Sequence, residues 1–155
     1  MEKEAALPYV VIEVGYEGII DRIIWSTEDP EEAIKVVREL REAIREFYEI
    51  WEKGLNEAME RAGLRRTEES EAIEPEELEE IRKTEIEIEM EETEKAVKAV
   101  IEKFKDRDLF YVYKRVIEFA KFTDPYRICV QRFDIQGGGF RCFCDELGVG
   151  AGRED

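Results

Sequence analysis

Histidine is absent from the whole chain, and that one gap excludes a good deal of chemistry. Without imidazole there is no Ser–His or Cys–His nucleophile pair and no HExxH zinc site. GxSxG is missing too, and no pattern specifies a cofactor, so the expectation is a protein that is not an enzyme. Long apolar runs are lacking: none approaches the ~20 residues of a membrane span, and the start MEKEAALPYV is acidic where a secretory leader has an apolar stretch. Three cysteines are an odd number and do not describe the paired framework of a small secreted protein. These gaps predict a soluble, cytoplasmic chain with no membrane partner.

Side-chain amides are nearly absent as well, limited to Asn56, Gln131 and Gln136, while 41% of the residues are charged. Enrichment in Glu, Lys and Arg with few thermolabile amides is the hyperthermophile pattern, and it predicts a hyperthermophilic, archaeal source. Hydrophobic residues still make up 43% of the 155, enough to fold, in a length that suits about one domain. The net charge of -16 excludes a protein that coats nucleic acid with its whole surface. The charge is uneven, however: -15 over residues 1–105, +2 over 106–144 and -3 beyond. The middle block also holds 9 of the 16 aromatic residues, which marks it as a module of different character.

Two β-branched runs, Tyr9 to Val14 and Ile19 to Ser26, flank GYEG at 15–18 and predict a β-hairpin, with apolar residues on both faces of its first strand. EDPEEA then starts a helix: Asp29 as N-cap, Pro30 at the first position and Glu32 closing a capping box. Its apolar residues step by three or four to Ala62, where Gly63 is placed as the C-terminal stop. Residues 63–74 read as a mobile loop. In the next segment Ile86, Ile88 and Met90 alternate like a strand, but Ile86, Met90, Thr93, Val97, Val100 and Phe104 step as a coiled-coil seam. The longer pattern predicts one helix over 75–105, antiparallel to the first. A third helix follows DRD at 106–108 and ends at TDP.

YRICVQRFDIQ and FRCFCDE flank three glycines and predict a second hairpin, since glycine supplies the positive φ that tight turns need. Pairing Ile135 with Phe140 gathers Cys129, Phe133, Ile135, Phe140, Cys142 and Cys144 on one face and sets Asp134 opposite Arg141. The glycines do not read as a phosphate loop, because no Lys-Ser/Thr follows them. The cysteines read first as core filler, with a Cys129–Cys144 disulfide and a metal site as alternatives; a fourth metal ligand would have to be Asp145, Glu146 or a second chain.

The resulting fold class is α+β: N-terminal β-hairpin, long antiparallel helical hairpin, third helix and C-terminal β-hairpin, the two hairpins forming one antiparallel sheet. Residues 1–155 form a single domain, with 40–95 projecting as a helical arm. The leading functional expectation is a non-enzymatic interaction protein that self-associates through helices, as a homodimer or with another protein, by way of Phe47, Tyr48, Trp51 and Leu55. The alternative is nucleic-acid binding by the C-terminal module. Its contacts would be Arg127, Arg132, Arg141 and Phe143, on an outer face shared with Ile128 and Val130.

Overall fold

The computed structural model describes residues 7–15, 19–64 and 74–150. Strands β1 (Tyr9–Val14) and β2 (Ile20–Thr27) form the first hairpin. Helices α1 (Pro30–Arg61), α2 (Pro75–Phe104) and α3 (Phe110–Ile117) follow. Two 3-10 turns, Ala120–Phe122 and Pro125–Arg127, lead into β3 (Ile128–Asp134) and β4 (Gly139–Cys142). The strands make one antiparallel sheet in the order β2-β1-β3-β4. Two separate ribbons would be marginal in water; pairing β1 with β3 makes both of them interior strands. Most of the expected GYEG turn and of the 63–74 loop falls at residues 16–18 and 65–73, outside the described residues.

Both ends of α1 are capped. Asp29 Oδ1 accepts from the Glu31 N–H at 2.9 Å, as an N-cap should. The capping box is not closed by Glu32, whose carboxylate accepts from the Trp25 indole N–H at 2.9 Å; Thr27 Oγ1 takes the Asp29 N–H instead. At the far end Gly63 has φ +72°, with Leu64 N bonded to Met59 O and Gly63 N to Glu60 O, a Schellman stop.

Residues 84–90 are helical, and the Thr84 and Thr93 hydroxyls bond back to the carbonyls of Glu80 and Glu89. The seam against α1 differs from the expected one. It runs through Glu92, Ala96, Val100 and Phe104, while Ile86 and Met90 are 60% and 65% exposed. A local cause is Gly54 of α1: a Cβ there would stand 2.4 Å from Glu92 Oε1, so its absence lets the Glu92 side chain into the helix interface. Lys103 pairs with Glu46 at 2.7 Å across the two helices.

Leu40, Ile44 and Phe47 of α1, Val112, Tyr113 and Val116 of α3, and Val11, Ile128 and Val130 of the sheet belong to one buried core. Fully buried positions end at Phe47 in α1 and begin at Glu92 in α2. Of the 40–95 stretch expected to project, Leu40 to Phe47 therefore lie in the core, and the helices beyond are half-buried or exposed. Among the described residues no helix is long and apolar enough to cross a membrane.

Phe104 closes the core where α2, α3 and the following loop meet, edge-on to Tyr113 and 4.0 Å under the Arg107 guanidinium. Phe104→Ala should therefore cost about 3–5 kcal/mol of stability, measured by urea unfolding. A loss below about 1 kcal/mol, within the range of ordinary surface substitutions, would contradict this packing.

Candidate functional site

The aromatic stripe of α1 is spent mostly inside the fold. Phe47 is completely buried; Trp51 stacks on it at 6.1 Å, Tyr48 packs edge-on to both, and Leu55 is half-buried. The Tyr48 hydroxyl reaches the carbonyls of Lys121 and Thr123, at 3.0 and 2.7 Å. This holds the chain after α3 against the helical pair. What that arrangement leaves open is a groove of about 500 Å³ on the other side of α2, lined by Met90, Val97, Ile101 and Phe122. Glu94, Lys98, Glu118 and Lys121 rim it. Sequence reasoning missed the groove because Met90 and Val97 fit the buried seam equally well by spacing. Phe122 lies beyond the last periodic residue, where no pattern reports a face.

The C-terminal hairpin keeps its expected faces but not its register. Phe133 pairs with Phe140 and Gln131 with Cys142, two residues from the expected pairing. Asp134 causes the slip: its Oδ1 accepts from Gln136 N and its carbonyl from Gly138 N, so the turn starts there and Ile135 is carried out to 68% exposure. A two-residue slip preserves sidedness. The assignment of inside and outside is reversed, however, because Val130 lies beside Val11 of β1 and shares its buried face under α1. Ile128 and Val130 are core; Phe133 and Phe140 face outward, 37% and 55% exposed.

The expected basic contacts are compensated within the chain. Arg127 donates to the carbonyls of Val14 and Phe122 and pairs with Asp21 and Glu13. Arg132 donates to Leu7 O at 3.0 Å and lies over the Tyr9 ring. Arg141 bonds Glu146 at 2.6 Å and covers Phe143, which packs edge-on to Tyr9.

The cysteines, in contrast, converge. Cys129 Sγ stands 3.3 Å from Cys142 Sγ and 3.3 Å from Cys144 Sγ. All three are free thiols in mutual contact; the Cys129–Cys144 disulfide, the alternative read from the sequence, would bring the sulfurs to about 2.05 Å. Two backbone amides point at sulfur: Val130 N at Cys144 Sγ, 3.3 Å, and Cys144 N at Cys142 Sγ, 3.5 Å. Arg41, buried on α1, places Nη2 at 3.8 Å from Cys144 Sγ. Cys144 and Cys129 share a hydrogen bond; with Cys144 ionised the Cys129 thiol is its donor and, helped by Val130 N–H and the Arg41 charge, draws Cys144 down to about 6 against the effect of burial. The same hydrogen bond, with burial, pushes Cys129 up, and burial pushes Cys142 up. Arg41 itself is the residue sequence reading overlooked. Its one signal was a cation between Leu40 and Ile44 on an apolar stripe.

No protein-family model, curated protein or solved structure matches this chain.

The thiol group sets a pH dependence. Cys144 in the folded protein ionises at about 6, below the ordinary 9.0, so its thiolate stabilises the fold fully above pH 9 and that contribution is lost as pH falls through 6. Above pH 9 the trend reverses, because Cys129 and Cys142 are held up in the fold. The urea midpoint of the reduced protein should rise between pH 6 and 9, with no imidazole in the chain to obscure it. Cys144→Ser should flatten that rise. An equal slope in the variant would refute the assignment.

Proposed function

We propose that the chain is a non-enzymatic interaction protein that self-associates through its helices, using the groove lined by Met90, Val97, Ile101 and Phe122. The observation that supports this reading is the exposed apolar side chains there: Met90 is 65% exposed and Phe122 69%, beside Val97 and Ile101. Contiguous apolar surface of this kind on a folded domain marks a contact region.

The rim supports a second copy as the occupant. Two chains of net charge -16 repel over most of their helical surface, whereas here two carboxylates and two ammonium groups alternate. Glu94 and Lys98 lie one turn apart on α2. In a two-fold antiparallel contact each chain's Glu94 would meet the other's Lys98, so the strip is complementary to itself. In this reading Phe47, Tyr48, Trp51 and Leu55 act from beneath, by fixing α2 and the Ala120–Phe122 turn so that the groove keeps its shape.

Sedimentation equilibrium at micromolar concentration should return a dimer. Met90→Asp and Phe122→Asp should each return a monomer with unchanged helical circular dichroism, because both side chains are exposed. A wild-type chain that stays monomeric overturns the proposal.

A further inference from the structure

We propose that Cys129, Cys142 and Cys144 form a metal site, a three-thiolate socket that takes one soft d10 cation per chain, Cu(I) or Zn(II). The site is built from Cys129 of β3, Cys142 at the end of β4 and Cys144 just beyond it, and is independent of the helical groove. Core filling does not account for the arrangement. Cysteines that serve only as small hydrophobes are buried among apolar side chains, yet Cys142 is exposed and the three sulfurs face one another, all within 4.8 Å.

The surroundings suit bound thiolates. Amide N–H groups of Val130 and Cys144 aim at the sulfurs of Cys144 and Cys142, and these are the hydrogen bonds that orient ligands and neutralise part of their charge in metal sites. The Arg41 guanidinium adds a fixed positive charge on the buried side. The 3.3 Å separations are about 0.5 Å shorter than the ~3.8 Å edge of a tetrahedral site with Zn–S near 2.3 Å; small side-chain rotations supply the difference.

The donor set narrows the ion. Sulfur alone selects Cu(I) and Zn(II) over Mg(II), Ca(II) and Mn(II), which take oxygen. The chain has no histidine to add, and among the described residues no carboxylate joins the cluster. Three sulfurs complete a trigonal Cu(I) site; Zn(II) would take a fourth donor from solvent on the exposed Cys142 side. Either ion would tie the 143–150 segment to β3 at the point where Phe143 N already bonds Val130 O at 2.9 Å.

The test uses the full chain, reduced and anaerobic, titrated separately with Zn(II) and with Cu(I) against a competing chelator. Native mass spectrometry should give one ion per chain, with an ultraviolet sulfur-to-metal charge-transfer band and a higher Tm for the loaded protein. X-ray absorption should count three sulfurs: three alone identify copper, three with one oxygen donor identify zinc. Cys142→Ser, at an exposed position, should fold normally and bind roughly tenfold more weakly or worse, losing the Tm gain. An ion not retained by the reduced chain, an affinity unchanged in Cys142→Ser, or a shell of oxygen and nitrogen only would each overturn the site.

Discussion

A guanidinium inside the core holds this structure together. Arg41 is 4% exposed and among the described residues pairs with no carboxylate; it donates to the carbonyls of Ile128, Val149 and Gly150 and approaches the sulfur of Cys144. Burying a cation without partners costs several kcal/mol. The five-donor fork of arginine, which lysine could not match, spreads the charge over three carbonyl groups and a thiolate. Three separate parts of the chain depend on that one side chain: α1, the entry to β3 and the segment that follows β4. Burial draws its pKa down, with the sulfur opposing, so the thiolate and the guanidinium stabilise each other's charged form.

Sheet order follows from the same centre. β1 is an interior strand because its Val11 meets Trp25 on one side and Val130 on the other, and β3 is held against it where Arg41 takes the Ile128 carbonyl. With β3 interior, its even-numbered residues must face the helices. The C-terminal segment is then folded back across the edge of β3 that β4 is too short to cover, and Cys144 sulfur satisfies the Val130 amide there. An edge amide that would otherwise be open is thereby linked to the thiol group.

The helical pair divides into two physical regimes. Up to Phe47 and from Glu92 onward, side chains are buried by the sheet and α3 as well as by the opposite helix. Beyond those points the two helices have chiefly each other. The Lys103–Glu46 pair between the helices, on the core side of both points, is partly exposed and worth little singly, so packing of the seam is the main source of order. Glu92 is the exception on that seam, a carboxylate 7% exposed that fits because Gly54 has no side chain and that Lys95 pairs at 3.3 Å.

Sequence alone determined what local physics controls. The Asp29-Pro30 start and the Gly63 stop bounded α1, β-branched runs gave the first hairpin, and the coiled-coil spacing from Ile86 to Phe104 resolved 84–90 as helix although Ile86 and Met90 lie off the buried seam, because hydrogen bonds and side-chain period act within a few residues. The convergence of the cysteines was legible as well, since sidedness survives a two-residue slip. Tertiary structure decided which side is inside. That Ile128 and Val130 are core, that Met90 lines an open groove while Phe47 is buried, and that Arg41 meets Cys144 all depend on partners distant in sequence, from Met90 to Phe122 up to Arg41 to Cys144. No window on the chain contains both halves of such a contact, and two seams of equal spacing differ only in what stands opposite them.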